Sequence, residues 1–168
     1  MSAWQSDKAW SDRFIPEIRQ IVGPRLLVPS SLEVDRTEAA DLVILRGRDM
    51  TLACRVRKPG FLQYRNQFTV RCKRDSGAKT ELEKITEGWG DWMFYGHAND
   101  RQDGFALWWL LDLSAWRAHF IRDKGCVVRG TKPNGDGTHF AWFDITSFKG
   151  DPRLVIARSE ITIEDMQL

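Results

Sequence analysis

Hydrophobic residues near the start of the chain recur at helical spacing. In residues 10–22, WSDRFIPEIRQIV, the side chains of Trp10, Phe14, Ile18, Ile21 and Val22 fall on one stripe, which predicts an amphipathic helix. Ser11 is placed to cap its start, and Pro16 limits or bends its first turn. The period then changes. Asp41 leads into a continuous apolar run, Leu42-Val43-Ile44-Leu45, the pattern of a strand buried on both faces. After the turn Arg46-Gly47-Arg48-Asp49, residues 50–57 alternate, with Leu52, Cys54 and Val56 on one face and Thr51, Ala53, Arg55 and Arg57 on the other. Residues 68–73 alternate again, Phe68, Val70 and Cys72 inward and Thr69, Arg71 and Lys73 outward. Adjacent in sequence, these two strands are expected to pair, merging Arg55, Arg57, Arg71 and Lys73 into one basic sheet surface.

Residues 80–87, TELEKITE, follow the turn Asp75-Ser76-Gly77 and predict a helix burying Leu82 and Ile85. Gly88-Trp89-Gly90-Asp91 ends it, and a strand begins at Trp92. The second half carries a loose internal echo. Residues 106–116 and 140–148 are each an aromatic-rich strand ending in Asp, an aliphatic residue, then Ser or Thr placed to cap a turn or helix. Residues 132–137 form a loop of turn-forming residues between strands, and residues 155–163 supply a last strand. Interleaved helices and strands predict an α+β or α/β single domain with a mixed central sheet flanked by helices.

Length fits that reading. At 168 residues the chain is long enough to fold around its own core without a disulfide or metal staple. No apolar run approaches a membrane span, and the N-terminus lacks a signal-peptide core, so a cytoplasmic protein with no membrane partner is expected. The three cysteines, Cys54, Cys72 and Cys126, show no metal spacing and read as reduced structural thiols.

The net charge of +2 hides an asymmetry. Residues 1–84 hold 16 basic against 11 acidic side chains, and residues 85–168 hold 9 against 12. From Arg46 to Arg74 there are nine basic residues and one acid, Asp49, and seven of the nine are Arg. Such a local excess attracts phosphate, and the planar guanidinium suits bidentate contacts to it. Arg55, Arg57, Arg65, Arg71 and Lys73 are the candidate nucleic-acid contacts, with DNA a better fit than RNA. Trp89 and Trp92 flank the acid Asp91 and are placed to stack on an unpaired base, whereas the other strand tryptophans read as core. An acidic host protein is the other partner class.

The order helix with Glu17, strand with Asp41, hairpin to a second strand, third strand, helix with Lys84 resembles the core of the PD-(D/E)XK, or restriction-endonuclease-like, nucleases. The likeness spans residues 10–98, leaving 99–168 as an aromatic-rich strand extension. It implies a metal-dependent phosphodiesterase using Mg²⁺, with Asp41 on the family's metal-binding Asp and Glu17 as the helix acid. Where that family has Glu-x-Lys, this chain has Arg55-Val56-Arg57, which removes a metal ligand and repels Mg²⁺. Either Glu81 or Asp91 has taken the missing position, with Lys84 beside it, or the site no longer cuts. The string from Arg55 to Ala98 also resembles short phage and prophage proteins, which implies a phage setting in a host cytoplasm.

Other readings stay open for the same residues. Glu81, Lys84 and Asp91 can form a solvated helix face and cap pairing with Arg71 or Arg57, and the helix acids Glu81, Glu83 and Glu87 can cover the basic face. With no second His at ligand spacing, His97 reads as a hydrogen-bonded structural residue. His119 and His139 carry no signal. No Walker loop, dinucleotide fingerprint, nucleophile elbow or HExxH pair is present. The sequence therefore supports two functions. One is a nucleic-acid-binding protein, a nuclease or a degenerate relative of one; the other is a non-catalytic protein that inhibits or recruits a host factor.

Overall fold

A computed structural model describes residues 3–29, 42–44, 50–122 and 127–159. The chain is α+β, and its contacts divide it into two units, residues 1–49 and 50–168, described separately below. That boundary falls inside the 10–98 span of the nuclease resemblance. Among the described residues no helix is long and apolar enough to cross a membrane.

In the first unit the expected helix over 10–22 is two helices, α1 (Ala3–Asp12) and α2 (Ile15–Val22). Pro16 explains the break. It has no N–H to donate, and in a continuous helix its ring would strike the carbonyl of Asp12, so it sits instead in the first turn of a new helix. The apolar stripe survives the break, since Phe14, Ile18 and Val22 are buried and Trp10 meets Phe14 edge-on at 5.1 Å. Two short strands follow, β1 (Leu27–Pro29) and β2 (Leu42–Ile44), paired antiparallel with Val28 opposite Val43.

The second unit holds two sheets. The larger is mixed and runs β3 (Leu52–Arg57), β5 (Trp92–Ala98), β6 (Phe105–Asp112), β9 (Val155–Arg158) in spatial order. The smaller is antiparallel, β4 (Gln67–Lys73), β8 (His139–Asp144), β7 (Arg129–Pro133). Two helices complete the unit, α3 (Glu81–Thr86) and α4 (Leu113–Arg122). One apolar core joins them. It takes Phe68 and Val70 from β4, Met93 and Tyr95 from β5, Leu107, Trp109 and Leu111 from β6, Ala141 and Phe143 from β8, Ile85 from α3 and Trp116 from α4. Phe68 stacks on Phe143 at 5.2 Å and lies edge-on to Tyr95 at 6.4 Å, while Trp116 meets Phe143 edge-on at 5.4 Å. The opposite face of the larger sheet is aromatic as well. There the bare Gly96 admits the Phe105 ring, which would lie 2.5 Å from any Cβ at that position.

The internal echo has a physical basis, although the capping atom differs from the one expected. Asp112 Oδ1 accepts from the Ser114 amide, the Ser114 hydroxyl and the Ala115 amide. Asp144 Oδ1 accepts from the Thr146 amide and hydroxyl in the same way. The carboxylate makes the cap and Ser or Thr adds a donor. Helix α3 begins where expected, on a capping box in which Thr80 and Glu83 bind each other's backbone amides.

Two expectations about β3 are overturned. It pairs in parallel with β5, not with β4, and its faces are reversed. The register sets Arg55 beside Tyr95 and Arg57 beside His97, so both arginines share the core-side face with Ala53, which packs on the core. Leu52 and Cys54 are exposed instead. Alternation alone left either face equally able to turn inward, and Glu81 on α3 selects the arginine face. Its Oε2 accepts from the Arg55 guanidinium at 2.5 Å and from the Arg71 amide at 3.0 Å. The pair is about a quarter exposed, 30% for Arg55 and 25% for Glu81. It thus links the edge strands of the two sheets without backbone pairing between them. Hydrogen bonds to a charged group contribute about 1.5–3 kcal/mol. Glu81→Ala is therefore expected to lower unfolding stability by about 1.5–3 kcal/mol in a urea titration, with Glu81→Gln losing less. A neutral outcome for Glu81→Ala contradicts the bridge.

Candidate nucleic-acid interface

Of the residues expected to bind metal or act in catalysis, Glu81 and Asp91 make structural hydrogen bonds. Glu81 is held by Arg55 and the Arg71 amide, as above. Asp91 ties the starts of two neighbouring strands, its Oδ2 accepting from the Thr51 amide at 2.9 Å and the Thr51 hydroxyl at 3.1 Å. Lys84 is exposed on α3. Glu17 lies in the first turn of α2, in the other unit. Asp41 lies outside the described residues. Among the described residues no three His, Cys, Asp or Glu side chains converge as a metal ion requires.

The basic residues form a surface, by a different route from the one expected. On the smaller sheet, Arg71, Phe140 and Lys132 stand in one cross-strand row, and Thr69, Trp142 and Gly130 in the next. Both rows point away from Phe68, Val70, Ala141 and Phe143 in the core. Trp142 lies flat over Gly130, where a Cβ would come within 2.7–2.8 Å of its indole atoms. Thr69 is buried and shares a hydrogen bond with the Tyr95 hydroxyl at 3.0 Å. Towards the outer end the face opens, with Lys132 exposed and Arg71, Phe140 and Trp142 half-buried.

Tyr64 extends this face towards β3. Lys132 Nζ lies 5.7 Å from its ring centre and the Arg57 guanidinium 5.5 Å, with Arg57 also 5.2 Å from the Phe61 ring. Arg57 and Lys132 therefore meet at Tyr64, although their strands belong to two sheets, and Arg71 stands in the same row as Lys132, with Phe140 between them. Of the other expected contacts, Lys73 is exposed at the end of β4 and Arg65 half-buried, its carbonyl accepting from the Trp109 indole at 2.9 Å. Trp89 is 69% exposed after α3, and Trp92 is half-buried in β5. Phe140, Trp142, Tyr64 and Lys132 were missed by the sequence reading. Their signal was the alternation of residues 139–144 beside a Lys and a Gly on the neighbouring strand.

His97 also departs from expectation. It is 1% exposed, and among the described residues neither ring nitrogen has a hydrogen-bond partner. The adjacent Arg57 Nη1 is buried and unpartnered too. Burial, with the Arg57 charge adding to it, holds the imidazole down at about 4 instead of the usual 6.5. Cys54 and Cys72 are free thiols, as expected, while Cys126 lies outside the described residues.

The chain matches no protein-family model, no curated protein and no solved structure.

The neutral His97 sets a pH dependence. Its folded pKa lies below its unfolded value, so the unfolded state binds the proton more readily and stability is lost as pH falls. The contribution is complete above about 6.5 and lost progressively down to about 4, a total of about 3 kcal/mol for that shift. Urea titrations of the wild type and His97→Gln are expected to converge or cross as pH drops from 7 to 4. A stability difference constant over that range contradicts a buried neutral His97.

Proposed function

We propose that this protein binds single-stranded nucleic acid on the basic, aromatic face of its smaller sheet, DNA ahead of RNA, and that it works as a binding protein. The observation that carries the reading is the row Arg71–Phe140–Lys132 beside Trp142 and Tyr64, which joins cations to rings on one surface. A single strand presents both kinds of partner. Its phosphates are drawn to Arg and Lys, and its unpaired bases stack on aromatic rings. A sheet supplies such rings at regular spacing, because alternate residues point the same way and neighbouring strands hold them side by side. Duplex DNA hides its base faces and leaves the rings unused.

Hydrolysis finds less support. Glu81 and Asp91 each use one carboxylate oxygen on Arg55 and the Arg71 amide or on Thr51, which suits a structural part better than metal binding. An acidic protein surface could meet the same cations, and the phage setting fits either partner. The rings favour the nucleic acid.

Binding is tested by fluorescence anisotropy with labelled oligothymidylate. Trp142→Ala is expected to weaken it by about 1–3 kcal/mol, the worth of one base–ring stack. Gly130→Val, which displaces the indole from its seat, is expected to weaken it in the same direction. Lys132→Gln should lower the slope of log affinity against log salt by about 0.7, one phosphate contact on a single strand. Equal affinity of Trp142→Ala and wild type sinks the reading, as does binding with no salt dependence.

A further inference from the structure

Arg57 and His97 occupy paired positions on neighbouring strands, at the margin of the proposed binding face. Parallel pairing of β3 with β5 places them side by side on the core-side face. Three of their nitrogens, Arg57 Nη1 and both ring nitrogens of His97, are buried without a partner among the described residues. Buried donors and acceptors in folded proteins nearly always have partners, and an unpaired one costs about 1–3 kcal/mol. Three together on two touching positions mark a place prepared for a ligand atom.

The chemistry of the three nitrogens narrows the ligand. A guanidinium nitrogen only donates. A neutral imidazole donates from one nitrogen and accepts at the other. The ligand must therefore bring acceptors to Arg57, and it can meet either nitrogen of His97 if it also carries a proton. A phosphate monoester does both, because its second ionisation lies near pH 6 and its monoanion keeps one O–H. An internal phosphodiester has acceptors alone.

Access leads to the same group. His97 is 1% exposed, and a phosphodiester flanked by nucleosides on both sides cannot follow a ring so deep. A phosphate at a chain end needs the smaller opening of the two. Arg57 links that depth to the surface, since its guanidinium also lies 5.2 Å from the ring of Phe61, which is exposed. A phosphate on Arg57 leaves the adjoining nucleoside against Phe61 and Tyr64.

We propose that Arg57 and His97 form a receptor for a terminal phosphate monoester, which anchors the end of a nucleic-acid strand on the basic face. This deepens the strand-binding reading and rests on it for the identity of the carrier. Free phosphate or a mononucleotide has the same chemistry, so the test separates the sources.

The chain has three histidines, which makes the His97 ring simple to follow by nitrogen-detected NMR. Wild-type protein is titrated with inorganic phosphate, then with tetrathymidylate carrying a 5′-phosphate, a 3′-phosphate or neither. The His97 ring signals are expected to move with inorganic phosphate and with a phosphorylated end. One phosphorylated end should raise affinity about tenfold over the unphosphorylated strand. Arg57→Gln, checked for folding by circular dichroism, should remove that difference. Ring signals unmoved by every phosphate, or equal affinity for all three strands, overturn the receptor. If strands bind and His97 stays still with inorganic phosphate and with both phosphorylated ends, the receptor falls and the strand-binding face stands. If inorganic phosphate moves His97 and no strand binds, the receptor stands and the strand-binding reading falls.

Discussion

The second unit depends on one carboxylate. Each sheet ends in an edge strand, β3 and β4, and an unpaired edge leaves backbone donors exposed to any passing strand. Glu81 closes that gap by accepting from the Arg55 side chain and the Arg71 amide together. The capping box at Thr80 and Glu83 fixes the start of α3 and hence the position of the next residue, Glu81. With Glu81 in place, Arg55 can turn towards the core side without remaining an uncompensated charge. Arg57, two residues on, must then face the same way. The orientation of β3 and the placing of Arg57 beside the buried His97 follow from it.

Much of the fold was legible in the sequence because its signals are local. The helix expected over 80–87 is found at Glu81–Thr86, residues 68–73 alternate with Phe68 and Val70 buried as predicted, and the turn expected over 132–137 joins β7 to β8, although Lys132 and Pro133 belong to β7. What failed depended on partners distant in sequence. Adjacency made β3 and β4 the natural hairpin, yet β3 crosses over to run parallel to β5, some forty residues later. Alternation shows that a strand has two faces but cannot tell which is buried when one carries Arg and the other Leu and Cys. A buried Arg needs an acid to receive it, and Glu81 lies 26 residues from Arg55. The break in the first helix was readable at Pro16, though its full extent was not.

The candidate site was legible in its charge and not in its geometry. No shared sheet merges Arg55, Arg57 and Arg71 as expected: Glu81 joins Arg55 to the Arg71 backbone, and Arg57 instead meets Lys132 at the Tyr64 ring. The aromatic half of the site comes from β8, more than sixty residues downstream of β4, and only the register of β4, β8 and β7 places Phe140 and Trp142 among the cations. The acids moved in the opposite direction. Glu81 and Asp91, expected beside Lys84 at a metal site, each hydrogen-bond across neighbouring strands. Acidic side chains near a basic cluster serve structure as readily as chemistry, and their partners decide which.

The central claim is that the second face of the smaller sheet receives a single strand. Mapping amide chemical-shift changes along the chain during titration with unlabelled oligothymidylate tests it most directly. The account predicts the largest shifts at Arg71, Lys132, Phe140 and Trp142, with smaller ones at Tyr64 and Arg57. Saturable binding whose shifts instead centre on α4 and the segment after β8, leaving those residues unmoved, would contradict it.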